Sequence, residues 1–143
     1  PSVTLAPGAA RALQTMRGAG WGLAVLTNGH VAVQRRKVLA LGVEALVDCV
    51  LYAEEHAAGG KPAPAAFEAA VLRLGVAPAR VVMVGNDLDA DVRGAERAGL
   101  RAIHLEASVP AVPREPAGAT VSSLAEVPPL AESLIPRAGA DVR

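Results

Sequence analysis

Three polar clusters in this chain hold the side chains able to do chemistry: Thr27-Asn28-Gly29, Lys61 followed by Pro62, and Asn86-Asp87-Leu88-Asp89-Ala90-Asp91. A hydroxyl, an ammonium and several carboxylates gathered at one rim would suit a phosphate held beside a divalent metal. The Thr27 hydroxyl and the Asn28 backbone N–H are donors for a phosphate oxygen near the start of the following helix. Lys61 offers the positive charge that neutralises phosphate and carboxylates together. Asp87 and Asp91 stand four residues apart across the start of a helix. Both can then face one crevice while their charges favour the helix's positive end. Hard oxygen ligands of this kind suit Mg²⁺, which keeps several waters and takes few carboxylates from protein.

Each cluster also has a plainer reading. Thr-Asn-Gly after a strand is ordinarily a turn that caps the next helix, and a loop lysine is ordinarily solvated. Capping accounts for one aspartate at a helix start, but three aspartates within five residues exceed that need. Other reactive side chains carry less. His30, His56 and His104 show no metal-ligand spacing and are expected at surface or loop positions. Arg35-Arg36-Lys37 reads as a solvated helix face, Trp21 as packing, and Cys49 as a small buried hydrophobe. The chain has no Ser-His-Asp arrangement, Walker loop or G-x-G-x-x-G.

The elements that must position these clusters alternate. A helix is expected over residues 8–18, a buried strand at Leu23-Ala24-Val25-Leu26, and a helix from Val31 to Leu41 closed by Gly42. A second strand falls at 47–52, and a polar, Gly-rich loop at 54–62. The spacing of Phe67, Ala70, Val71 and Leu74 then predicts a helix ended by Gly75. Val81-Val82-Met83-Val84 is the clearest strand, and it leads through Gly85 into a helix ended by Gly99. Ala102-Ile103-His104-Leu105 follows as a short strand. Residues 106–119 read as a Pro-rich loop, 120–134 as a short strand and a helix interrupted near Pro128-Pro129, and 136–143 as a frayed tail. Such alternation implies right-handed crossovers and an α/β fold, a doubly wound parallel sheet in three α/β/α layers. In such sheets ligands bind beyond the carboxyl ends of the strands, where all three clusters fall.

With 143 residues the chain is long enough for one domain. Fourteen basic and fourteen acidic residues balance, so no overall field draws it to nucleic acid or to an anionic membrane. Glu44, Asp48 and Glu54 interrupt the longest apolar stretch, which excludes a transmembrane helix. A single cysteine and the lack of a signal peptide fit the cytoplasm.

In their order, the strand ending Leu26-Thr27-Asn28-Gly29, the run Gly60-Lys61-Pro62-Ala63-Pro64-Ala65-Ala66-Phe67 and the run Val84-Gly85-Asn86-Asp87-Leu88-Asp89-Ala90-Asp91-Val92-Arg93-Gly94-Ala95 resemble the haloacid dehalogenase-like hydrolase superfamily. The likeness extends over residues 7–134, including Gly99-Leu100-Arg101-Ala102-Ile103. It implies a Rossmann-like core and a Mg²⁺-dependent phosphatase acting on small phosphate esters through an aspartyl-phosphate. By that resemblance Thr27 binds the transferring phosphoryl group and Lys61 stabilises the nucleophile and the phosphoryl charge. Asp87 ligates Mg²⁺ with Asp91 as second acidic partner. Many relatives have Asp where this chain has Asn86, so the ligand is Asn86 or Asp87; the spacing to Asp91 favours Asp87.

The chain departs from that pattern in one respect. Family members begin with a strand ending in Asp-x-Asp, whose first aspartate is the nucleophile and whose second is the general acid and base, and a cap often follows. No aspartate precedes Thr27. The resemblance therefore implies a partial core domain, incomplete at the N-terminus and inactive alone, with residues 1–7 ending a cap linker and the nucleophile upstream of Pro1. The family's first strand lies between those ending at Thr27 and Gly85, so a gap is expected there, filled by an N-terminal segment or another chain. A metal-independent haloacid dehalogenase is a rival within the superfamily, but usually has a Ser-Ser-Asn-type sequence at Gly85-Asn86-Asp87. A phosphoryl-receiving signalling module places acidic residues first and lysine last, the reverse of Thr27, Lys61, Asp87. A noncatalytic remnant is the third alternative.

Overall fold

The structure, a computed structural model, describes residues 4–106 and 119–135. Strands β1 (Ala24–Thr27) and β2 (Cys49–Tyr52) form one parallel pair, and β3 (Val82–Gly85), β4 (Arg101–Leu105) and β5 (Ala119–Val121) form a second parallel sheet in the order β3-β4-β5. Helices α1 (Ala9–Gly18), α2 (Val31–Leu41), α3 (Pro64–Leu74), α4 (Gly94–Arg97) and α5 (Val127–Leu134) connect or flank them.

Apolar residues on both sides of each strand dictate this layering, because a strand buried on both faces needs a cover on each. Val25, Val82, Val84 and Ile103 pack with Met16 of α1 and with Val127 and Ala131 of α5. Their neighbours Leu26, Met83 and Ala102 turn the other way, onto Phe67 of α3 and Ala95 of α4. The expected three layers are thus built by alternation along the strands.

β1 and β3 do not pair. Between them, under α1 and α5 on one side and α3 on the other, lies a cavity of about 590 Å³ lined by Leu23–Leu26 and Val81–Val84. The expected gap is therefore a physical feature, walled by apolar side chains such as Leu13, Phe67 and Leu100.

Several expectations are corrected. The helix after β3 opens as a π-helical turn, Leu88–Arg93, before α4. Pro128 and Pro129 do not interrupt α5; they occupy its first turn, where a missing N–H costs nothing. Cys49 is half-buried rather than buried. Ala119 opens β5. The rest of the expected loop (107–118), the expected tail (136–143) and residues 1–3 lie outside the described residues. No described helix is long and apolar enough to cross a membrane.

Candidate active site

Lys61 is placed by its own backbone. The Asn28 side chain, just past β1, clamps it at both polar groups: the Lys61 N–H donates to Asn28 Oδ1 at 2.8 Å, and Asn28 Nδ2 donates to the Lys61 carbonyl at 3.0 Å. Gly60 permits this approach, since it adopts φ +70° and a side chain there would run into the Asn28 amide. The peptide bond from Lys61 to Pro62 is cis. Aimed by this loop, Lys61 Nζ donates to the Leu26 carbonyl at 2.8 Å and pairs with Asp91 Oδ1 at 2.7 Å. The ammonium thus joins the end of β1 to Asp91 in the turn after β3.

Asp91 is the other half of that junction. Its Oδ2 accepts the Asp87 N–H at 3.2 Å, so both carboxylate oxygens are engaged and the residue is only 6% exposed. This geometry demands a glycine at the end of β3: a Cβ on Gly85 would meet Asp91 Cβ at 2.5 Å and collide with its carboxylate. Asp87 is exposed and caps the π-helical turn, with Oδ1 accepting from the N–H groups of Asp89 at 3.0 Å and Ala90 at 2.8 Å. Asn86 is exposed beside it, and Asp89 points outward to Arg97 at 3.3 Å.

Thr27 is half-buried, and its hydroxyl donates to Gln34 Oε1 at 3.2 Å. The sequence marks Gln34 as a partner for Thr27 only by its place in the first turn of the helix that follows. His104 overturns its expected surface position. It is 3% exposed, and its ring reaches the Asn86 carbonyl at 3.1 Å from Nε2. Alternation in β4 puts it on the same face as Ala102, which was legible; the hydrogen bond was not. His30 and His56 take no part in this cluster.

The structure therefore brings Lys61, Asp91 and the Asp87 backbone into contact, with Asn28 and the end of β1 beside them. It does not place Asp87 and Asp91 as a symmetrical pair of free carboxylates, because Asp91 is committed to Lys61. Among the described residues there is no group of three or more His, Cys, Asp or Glu able to hold a metal ion. The donors that remain, the exposed Asp87 carboxylate and the Asn86 amide, fit a cation that keeps most of its water, as Mg²⁺ does. They do not fit a tetrahedral zinc site or a calcium cage.

The family model of haloacid dehalogenase-like hydrolases matches residues 2–99. The chain is 40% identical over 102 residues to a phosphoserine phosphatase of Thermus thermophilus, covering 71% of this chain and 41% of the relative. It is 38% identical over 93 residues to a glyceraldehyde 3-phosphate phosphatase of Methanopyrus kandleri, covering 65% and 40%. A crystal structure of a HAD phosphatase from Thermococcus onnurineus superposes with a TM-score of 0.80 at 29% identity, covering 88% of this chain and 57% of that one. The chain spans about two fifths of the length of these two curated relatives.

Proposed function

Because the chain belongs to the haloacid dehalogenase-like hydrolases, we propose that it forms the Lys-and-Asp side of the active site in a Mg²⁺-dependent phosphatase of small phosphate monoesters. The observation that carries this reading is the meeting of Lys61, Asp91 and the Asp87 turn at the carboxyl ends of β1 and β3, bridged by Lys61 Nζ at 2.8 Å from Leu26 O and 2.7 Å from Asp91. The phosphatase activity of the relatives supports the choice of reaction.

A strand lying between β1 and β3 supplies the nucleophilic carboxylate in this reading, from a preceding segment or another chain. One carboxylate oxygen of that strand attacks phosphorus, the bond from phosphorus to the ester oxygen breaks, and the alcohol leaves with the proton of the strand's second carboxylic acid. Water, giving a proton back to that second carboxylate, then attacks the aspartyl-phosphate, returning the first carboxylate and releasing inorganic phosphate. Lys61 offsets negative charge on the phosphoryl oxygens and the nucleophile, held in place by the buried Asp91 and by Asn28. The Thr27 hydroxyl and the Asn28 N–H offer donors to the phosphoryl group at the start of α2. Asp87, with Asn86 beside it, would hold Mg²⁺, which would supply Lewis-acid polarisation of the phosphoryl group.

The test is phosphate release by the whole protein from a panel of small esters, with and without Mg²⁺. Turnover that needs Mg²⁺ and falls at least about a hundredfold in Lys61→Met is expected. Absence of turnover on every ester, or turnover indifferent to Lys61→Met, would overturn the assignment.

A further inference from the structure

We infer that His104 is a positioning residue for the site, one that fixes the peptide joining Asn86 to Asp87 and thereby aims the Asp87 turn. The inference rests on the phosphatase reading for its consequence and on geometry for its substance. β3 and β4 pair with Gly85 opposite His104, so His104 stands beside the point where the chain leaves the sheet. Beyond Gly85 the backbone has no strand partner, and the Asn86 carbonyl needs a donor from elsewhere. His104 Nε2 lies 3.1 Å from that oxygen. A carbonyl only accepts, so Nε2 carries the proton and donates it.

The same peptide is held at its other end, because the Asp87 N–H donates to Asp91 Oδ2 at 3.2 Å. Asp91 Oδ1 in turn holds Lys61 Nζ at 2.7 Å. One peptide plane is therefore pinned on the carbonyl side by His104 and on the amide side by the lysine-bound aspartate. A rotation of that plane would swing the Asp87 side chain and loosen Asp91 together.

Core packing alone does not explain a histidine here. The residue is 3% exposed and shares its face with Ala102, which packs in the cluster of Phe67, Val92 and Ala95; an aliphatic side chain at this position would bury without a desolvation penalty. Glu106 flanks the far side of the ring, with Oε2 at 3.9 Å from Nδ1, beyond hydrogen-bond distance.

The experiment compares wild type, His104→Leu and His104→Gln in the whole protein. The glutamine amide ends near the position of Nε2 and can donate to the Asn86 carbonyl, whereas leucine fills the space and donates nothing. Two quantities are read: hydrogen exchange of the Asp87 amide by NMR, and the Mg²⁺ concentration for half-maximal phosphate release. His104→Leu is expected to speed exchange of that amide and to raise the Mg²⁺ requirement about 10- to 100-fold, while His104→Gln returns both to within about threefold of wild type. Should His104→Leu fail to fold, His104→Asn, whose shorter amide falls short of the carbonyl, replaces it in the comparison with glutamine. Exchange and Mg²⁺ requirement unchanged in His104→Leu, or a glutamine variant as impaired as the leucine one, overturn the inference. A wild type without phosphatase activity overturns the functional reading instead, and the exchange measurement still decides the role of His104.

Discussion

Lys61 Nζ and Asp91 Oδ1 are 2.7 Å apart, with the two side chains only 8% and 9% exposed. Two charges taken this far out of water are tolerable only as a pair, and here each has further partners: the Leu26 carbonyl for the ammonium and the Asp87 N–H for the carboxylate. Asp91 is thereby a holder of Lys61, and Asp87 is the carboxylate left to face solvent.

That division makes the pair's energetics testable. Lys61→Met or Asp91→Leu alone leaves one buried charge uncompensated and should cost about 3–5 kcal/mol. The double variant should cost clearly less than the sum, since it removes both charges. Urea denaturation of the four proteins measures the coupling, and additive losses would mean that the two charges are not mutually dependent.

Variants of Asp87 separate its capping contacts from the proposed metal role. Asp87→Ala removes the acceptor for the Asp89 and Ala90 N–H groups and should lower stability by about 1 kcal/mol. Asp87→Asn keeps a capping oxygen but loses the charge, so it should remain near wild-type stability. Both variants should nonetheless lose Mg²⁺-stimulated turnover. If Asp87→Asn keeps that turnover, the metal role passes to Asn86 or elsewhere.

Gly85 is held to glycine by contact. Its φ lies outside the left-handed region, so the bar to alanine is contact, with Asp91 nearest: its Cβ would stand 2.5 Å from the new methyl. Gly85→Ala should cost about 1–3 kcal/mol through this overpacking and should disturb Lys61 through Asp91. Thermal unfolding checks the first effect. A variant as stable and as active as wild type would show that the turn accommodates the methyl freely.

Asp48 ties the sheet to pH. The Leu23 N–H, donating at 2.7 Å, holds its carboxyl below the usual aspartate range; desolvation opposes this in part and Arg17 at 3.3 Å adds to it. A depressed folded-state pKa contributes stability that is complete above the unfolded value and lost as pH falls through the folded one. Wild type should therefore exceed Asp48→Asn in stability at neutral pH. The difference should close as pH drops below the ordinary aspartate value of about 3.9. A pH-independent difference in urea midpoint would assign the contact to shape alone.

Much of this arrangement was legible beforehand because local signals agreed with tertiary demands. α2 runs from Val31 to Leu41 as its pattern and Gly42 required, and α3 buries Phe67 and Ala70. The three clusters met because strand ends in a parallel sheet share a rim. What was not legible depends on contacts between distant residues. The π-helical turn arises where the Asp87 carbonyl accepts from both Asp91, at 2.9 Å, and Val92, at 3.3 Å. Asp91 is drawn there by Lys61, thirty positions earlier. Likewise nothing in the sequence around His104 announces the Asn86 carbonyl, just past the end of the neighbouring strand, that its ring binds.

The cavity between β1 and β3 yields the last prediction. Leu23 turns its N–H and carbonyl toward β2, where they meet Asp48. Alternation along the strand therefore turns Ala24 and Leu26 toward the cavity, and the Leu26 carbonyl is indeed free of β2 and bound by Lys61. On β3, Val81 turns its carbonyl toward Arg101 of β4, which leaves Val82 and Val84 facing the cavity. If a strand lies between β1 and β3 in the whole protein, the amides of Ala24, Leu26, Val82 and Val84 pair with it. They should then exchange with solvent as slowly as the paired amides of β4. Hydrogen exchange on the whole protein reads this directly. Fast exchange at these four amides, alongside protected β4, would mean that no strand completes the sheet and that the nucleophile must be sought elsewhere.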